Sequence, residues 1–348
     1  MTTYLKGSQF PKSSQWYADE KAALTSIQRQ IEAQFPHTNN LIINTTWFGP
    51  QFDNGEYASV LKMAENNIQL DNIFFVSMVD EVMITPDQIN DIKNRFNSKL
   101  YCIGNFDNEY QFNFISTTLP KYFTSYCEEE LKLTNLEHIF LCYNRKPRQH
   151  RIDLIDKLIE NKLENLGVLS LGKNDPTYSK KLSNISILLN ETPDQFAKAG
   201  NWGMPMNFGI PHDIHSLGNM KLWQTHFLNI VGETIFDPWD DLFVTEKTWK
   251  PIIGLRPFII NGQAKKIYKY LRDNGFKTFN HYFNNIELEN VKEFEVHDSI
   301  ISVIQYLIKM EKKEILSMYN DMIPDLQHNR NRFFEFAKEQ SNRIEHLF

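Results

Sequence analysis

Apolar residues in this chain gather into short unbroken runs, separated by stretches in which they recur every three or four positions. That is the alternation expected of buried strands and amphipathic helices. The run Asn40-Leu-Ile-Ile-Asn-Thr-Thr-Trp47, closed by Gly49-Pro50, predicts a buried strand that ends in a loop and reads as the first strand of a sheet. Tyr57, Val60, Leu61 and Ala64 follow at helical spacing, and Asn72 to Val79 is a second strand. A helix from Pro86 to Phe96, with proline at its start, leads to a third strand, Lys99-Leu-Tyr-Cys-Ile-Gly104. Strands and helices that alternate across short loops predict a mostly parallel sheet.

The pattern turns polar from Lys132 to Glu137, and a second series begins with the strand His138-Ile-Phe-Leu-Cys-Tyr143. The basic loop Asn144-Arg-Lys-Pro-Arg-Gln-His-Arg151 follows, then a helix with Ile152, Ile155, Leu158 and Ile159 on one face, then the strand Gly167-Val-Leu-Ser-Leu171. From Lys173 to about Met220 the sequence reads as long loops with short elements. Regularity returns with a strand from Phe227 to Val231, the acidic loop Asp237-Pro-Trp-Asp-Asp241, and a helix for which Thr245 is the expected N-cap and which carries Glu246, Lys247 and Trp249. A strand from Arg256 to Ile260, a helix from Ala264 to Asn274 and a helical segment from about Ile300 to Phe348 complete the pattern.

The chain has 348 residues, enough for two domains of roughly 150 residues each. The expected division is an acceptor-side α/β domain over residues 1–134, a second α/β domain over 135–325, and a C-terminal helix over 326–348 that packs back on the first domain. A net charge of -6 excludes the broadly electropositive surface of a protein that binds nucleic acid mainly through phosphates, though a local basic groove remains compatible with it. The three cysteines, Cys102, Cys127 and Cys142, have neither the number nor the spacing of a disulfide framework or zinc site, which fits a reducing cytoplasm. The first residues lack the basic start and apolar core of a signal peptide, and no segment approaches the run of about 18 apolar residues that a membrane span needs.

In an open parallel sheet, ligands bind beyond the carboxyl ends of the strands, where loops enter helices. Two charged clusters are predicted to lie there: Asn144, Arg145, Arg148 and Arg151 after one strand, and Thr245, Glu246 and Lys247 at the start of a helix after another. Arginine grips a diphosphate with its planar fork, lysine adds a point charge, and a carboxylate accepts hydrogen bonds from ribose hydroxyls. A solvated turn and a capped helix start would explain each cluster taken singly, but a lysine in a first turn opposes the helix dipole and favours a bound anion. Carboxylates able to serve as a general base are Asp53 and Glu56 after the first strand, with Asp80 and Glu81 after the second, and Trp47 is placed to stack on a sugar or base or to pack in the core. The Asp237–Asp241 loop and the histidines His150, His212, His215 and His226 do not make a metal site by spacing, so no essential divalent ion is expected.

The segment Phe243-Val-Thr-Glu-Lys-Thr-Trp-Lys-Pro-Ile-Ile-Gly-Leu-Arg-Pro-Phe-Ile-Ile260 resembles the α-1,3-fucosyltransferases and the related exostosin-like glycosyltransferases of GT-B architecture. Cys142-Tyr-Asn144 through Arg151, continued by Leu154, Ile155 and Leu158, is a second, shorter match. The resemblance covers about a third of the chain, all in its C-terminal half; the family's Phe-Glu-Asn-Ser segment is replaced by Ile230-Val-Gly-Glu-Thr234. It implies two Rossmann-like domains facing a cleft, Glu246 on the donor ribose, Lys247 and Arg151 on the donor diphosphate, and inverting transfer from a GDP- or UDP-sugar to an acceptor hydroxyl. The acceptor stays open between a glycan and a hydroxymethylated DNA base of a phage-like genome. A noncatalytic binding or assembly protein of the same fold is the alternative reading.

Overall fold

A computed structural model of the chain describes residues 2–5, 15–44, 56–78, 86–104, 108–128, 131–144, 147–171, 216–236, 242–292 and 295–348. Two four-stranded sheets, all of their pairings parallel, organise these residues. The first contains β1 (Thr2–Leu5), β2 (Asn40–Asn44), β3 (Asn72–Ser77) and β4 (Lys99–Gly104) in that order. Helices α1 (Gln15–Gln34), α2 (Glu56–Glu65) and α3 (Pro86–Phe96) connect them. Two short helices, α4 (Phe114–Thr118) and α5 (Pro120–Phe123), lead to the second sheet.

The strand at Asn40, expected to be the first, is the second, because Thr2–Leu5 pairs alongside it with Thr2 opposite Asn40 and Leu5 opposite Ile43. Four residues are too few to establish a period, so only the partner strand identifies β1. Every residue of β2 and β3 is buried, as parallel strands covered on both faces require. Their side chains alternate between two cores. Leu41, Ile43, Ile73 and Phe75 pack with Val60 of α2 and Ile92 of α3. Ile42, Phe74 and Val76 face Leu24, Ile27 and Ile31 of α1, within a larger core that continues into the second sheet.

That sheet comprises β5 (His138–Asn144), β6 (Gly167–Leu171), β7 (His226–Gly232) and β8 (Phe258–Asn261), in the spatial order β6-β5-β7-β8. Its helices are α6 (Gln149–Glu160), α7 (Met220–Trp223), α8 (Glu246–Ile253) and α9 (Ala264–Asp273). The helical segment expected from about Ile300 divides into α10 (Val296–Leu307) and α11 (Lys312–Glu345). Glu311 caps α11 in a reciprocal box with Glu314, whose carboxylate accepts the Glu311 N–H at 2.6 Å. Among the described residues no helix is long and apolar enough to cross a membrane.

Helix α11 joins the two halves. Gln340 accepts the backbone N–H of Asn113, just before α4, at 2.9 Å, and Gln30 of α1 donates to Ile344 O and accepts from Leu347 N, both at 2.7 Å. Phe333 and Phe336 of the same helix lie 5.6 Å and 5.4 Å from Trp249 of α8, ring centroid to centroid. At the opposite end of the second sheet Arg256 is fully buried. It donates to His226 O (2.7 Å), Leu131 O (2.8 Å), Leu255 O (2.8 Å) and the Tyr319 hydroxyl of α11 (3.0 Å). Burial pushes its pKa down to about 10, so it keeps its charge at neutral pH. Replacing Arg256 by alanine would strand several buried carbonyls and open a cavity, and urea denaturation should register a loss of about 3–5 kcal/mol; an unchanged midpoint would contradict this role.

Candidate functional site

The strand order β6-β5-β7-β8 places a switch point between β5 and β7. The chain leaves β5 towards β6 on one side, whereas β7 lies on the other, so the connections that follow β5 and β7 part at their carboxyl ends. Two of the predicted clusters meet at this edge. Asn144 is the last residue of β5, Arg148 occupies the N-cap position of α6, and Arg151 sits in that helix's first turn. Thr245 caps α8 as the sequence leads one to expect, its hydroxyl accepting from Lys247 N at 3.3 Å, with Glu246 and Lys247 in the first turn.

The start of α6 grips three successive carbonyls at the end of β7 and just beyond it. Arg151, 2% exposed, donates through Nη2 to Gly232 O at 2.7 Å and to Glu233 O at 2.9 Å. His150 Nε2 lies 2.9 Å from Glu233 O, and because a carbonyl only accepts, Nε2 carries the proton. Arg148 Nη1 donates to Thr234 O. Burial and then the neighbouring Arg148 push Arg151 down to about 10, leaving it cationic at neutral pH. Burial and then Arg151 hold His150 well below the usual histidine range, so it is neutral. Phe236 lies flat between His150 and His297, with centroid separations of 5.0 and 5.2 Å and interplanar angles of 10° and 22°, which fixes the path of the chain after β7.

Glu233, which sequence reading passes over as part of a family segment that does not match, is the centre of this arrangement. Its side chain is fully buried. The carboxylate accepts Thr245 N (3.2 Å), Thr245 Oγ1 (2.6 Å), Thr248 Oγ1 (2.7 Å) and Thr234 N (3.2 Å). Since the Thr245 hydroxyl gives its one proton to Glu233, its lone pairs face Lys247, whose N and Nζ lie 3.3 and 3.1 Å away. Lys247 Nζ also contacts Thr234 Oγ1 at 3.4 Å and Glu246 Oε1 at 2.9 Å. Burial works to raise the pKa of Glu246, but Lys247 and Lys250 outweigh it and hold the carboxyl below its ordinary value.

Two glycines make the close approach of these elements feasible. A Cβ on Gly232 would collide with the Asn144 carboxamide oxygen and stand 3.4 Å from Arg151 Nε; one on Gly262 would come within 2.7 Å of Glu233 Cβ. The signal in the sequence for this site was Gly232-Glu-Thr234, a glycine and an acid directly after an apolar run, preceding Thr245 and Thr248.

Of the remaining predicted residues, Arg145, Trp47, Asp53, Asp80 and Glu81 lie outside the described residues, as do the Asp237–Asp241 loop, His212 and His215, while Glu56 is the first residue of α2. His226 lies at the opposite end of β7, remote from this edge. Near the carboxyl end of the first sheet the structure buries an acid that sequence reading missed: Glu20 of α1 is fully buried and accepts from Asn44 Nδ2 at 3.3 Å. Its spacing from Leu24, Ile27 and Ile31, all on the buried stripe of α1, was the available signal. Among the described residues no group of three or more His, Cys, Asp or Glu could hold a metal ion. Compared with family models, curated proteins and solved structures, the chain matches none.

Gly232→Ala is expected to destabilise the protein by about 1–3 kcal/mol through overpacking, and the loss should shrink in an Asn144→Ala background, where the colliding oxygen is gone. Equal losses in both backgrounds would show that the two residues are not coupled. Acidification gives a separate test. His150 and His226 are kept neutral by burial, with pKa values well below the usual range. Their unfolded forms take up protons near pH 6.5, so the unfolded state binds more protons below that pH and stability falls as pH drops through it. Between pH 7.5 and 5.5 each should remove about 1 kcal/mol; a melting temperature that does not fall over this interval would contradict the burial of neutral imidazoles.

Proposed function

We propose that this chain is a glycosyltransferase that binds a nucleoside-diphosphate sugar, GDP- or UDP-linked, at the carboxyl edge of its second sheet and passes the sugar to an acceptor hydroxyl with inversion. What carries the reading is the gathering of Arg148, Arg151, Lys247 and, through Lys247, Glu246 around Gly232–Thr234 at a strand-order switch, beside the N-termini of α6 and α8. An anion there meets positive side chains and helix ends together, and a diphosphate fits that charge without a bound metal. Arg151 serves chiefly by its charge and by holding the Gly232 and Glu233 carbonyls, whereas Arg148 and Lys247 are the phosphate contacts and Glu246 accepts from the ribose hydroxyls.

On this reading the two sheets belong to the two lobes of a GT-B-type arrangement, with 1–134 on the acceptor side, 135–325 on the donor side and 326–348, the C-terminal part of α11 and the residues after it, as the closing segment. Inversion requires a carboxylate that deprotonates the attacking hydroxyl as it reaches the anomeric carbon. Asp53, Glu56, Asp80 and Glu81 are candidates, and buried Glu20 joins them. A glycan or a hydroxymethylated DNA base would be the acceptor, in a cytoplasmic setting.

The test is binding and turnover of labelled GDP- and UDP-sugars. GDP or UDP should raise the melting temperature, and Lys247→Ala or Arg148→Ala should weaken nucleotide binding by ten-fold or more, about 1.5–3 kcal/mol for a lost charge-assisted contact. Loss of the base should lower kcat while leaving nucleotide affinity intact, which sorts Glu20→Gln from Asp53→Asn, Glu56→Gln, Asp80→Asn and Glu81→Gln. No nucleotide-induced shift and no donor hydrolysis would defeat the enzyme reading in favour of a noncatalytic binding protein.

A further inference from the structure

At the amino ends of β3 and β4, the turns that follow α1, α2 and α3 border an open groove of about 670 Å³. Its size falls within the range of about 300–1,000 Å³ found for small-molecule sites. Partly buried Phe35 and Phe96 and exposed Ile68 give it apolar surface, and Asn67, Asn72 and Asn97 give it carboxamides. Strand β3 has six residues, so about 20 Å separates this groove from the carboxyl edge of the same sheet.

Asn72 brings to the groove an acceptor that the described residues leave unused. Phe35 O can only accept, so the Asn40 carboxamide presents Nδ2 to it, at 3.3 Å, and turns Oδ1 the other way. That oxygen and the Thr38 hydroxyl accept from Asn72 Nδ2 at 2.9 and 3.2 Å. Asn72 is thereby fixed in orientation and is only 3% exposed, yet no donor among the described residues reaches its Oδ1. A carboxamide oxygen held in this way at the wall of a groove is placed to accept from a donor outside the protein.

The rest of the lining narrows the chemistry of that donor. Asn67 and Asn97 lie at positive φ, 54° and 50°, in the turns after α2 and α3. Glycine is the usual residue in that conformation; asparagine tolerates it and brings a carboxamide to each turn. Arg95 pairs with Asp91 at 2.9 Å, and Asp71 and Lys99 carry opposite charges, so the lining favours neither an anion nor a cation. Carboxamides donate and accept, as hydroxyls do, while phenyl rings and Ile68 match a face of C–H groups. Phe35 is packed against Phe74 and Tyr101, with centroids 5.6 and 5.4 Å away, which fixes that wall.

We infer that this groove binds a short neutral oligosaccharide, at a site separate from the carboxyl edge of either sheet. A sugar hydroxyl donates to Asn72 Oδ1, others bond the carboxamides of Asn67 and Asn97, and a ring face lies on the apolar surface. The groove anchors a glycan and takes no part in transfer, so the assignment stands apart from the nucleotide-sugar reading of the second sheet.

Saturation-transfer NMR and isothermal titration of the full chain with maltotriose, cellotriose and chitotriose test this, alongside GDP and UDP. At least one sugar should bind, and saturating GDP or UDP should not displace it. Asn67→Gly combined with Asn97→Gly permits the same backbone conformation, removes both carboxamides and should weaken sugar binding about ten-fold. Ile68→Asp, at an exposed position, should weaken it by a similar factor, and melting curves establish that both variants are folded. No binding of any of the three sugars, displacement by GDP or UDP, or affinity unchanged in both variants overturns the inference. Sugar binding that these variants weaken, in a protein that binds neither GDP nor UDP, supports the groove and defeats the nucleotide-sugar reading instead.

Discussion

A carboxylate buried with no exposure is stable only where donors surround it, and Glu233 meets that condition through groups drawn from its own turn and from the start of α8. Its backbone carbonyl is meanwhile held from the other side by Arg151 and His150 at the start of α6. One residue thus fixes the relative positions of two helix N-termini and the end of a central strand. Displacing any of them leaves a charge or a carbonyl buried without partners, which costs several kcal/mol, so the site has little freedom to rearrange. The glycines at 232 and 262 belong to the same constraint, because a side chain at either position would force these elements apart.

The two helix starts solve the same electrostatic problem with different partners. Helix α6 opens with cationic side chains where its own dipole is positive, and they are offset by the carbonyls of residues 232–234, towards which Arg148 and Arg151 turn. Helix α8 opens with Lys247, equally disfavoured by the dipole, and offsets it with Glu246, the Thr245 hydroxyl and the buried Glu233 behind that hydroxyl. Among the described residues, positive side chains are thus gathered at one edge of the sheet, where carbonyls, a hydroxyl and Glu246 offset them.

Rigidity at this edge depends on packing at a distance from it. Arg256 ties the start of β7 and the end of α8 to Tyr319, and Arg330 donates to Ile253 O at 2.6 Å, so α11 holds α8 by its C-terminal end while Glu233 and Thr245 hold it by its N-terminal end. The same α11 reaches α1 through Gln30, and its aromatic residues enter a core continuous across both sheets. The position of Lys247 is therefore linked through one helix to the covering of the first sheet.

The sequence by itself determined the elements whose partners are local. Unbroken apolar runs marked β2 to β8 because parallel strands are buried on both faces, and Thr245 was readable as a cap because capping is decided within three residues. The clustering of Arg148, Arg151, Glu246 and Lys247 at strand ends was likewise legible from the order of elements. Tertiary structure alone decided the rest. Four residues at Thr2–Leu5 carry no period and became a strand only because β2 offered a free edge. Glu233 and Glu20 looked like ordinary acids, since their burial depends on donors 12 to 24 residues away in sequence. Arg151, read as a ligand for phosphate, proved to be engaged with carbonyls more than 80 residues further along the chain. Hydrogen bonds of that span leave no mark on local composition, because they form only after the sheet has set the strand order that brings their partners together.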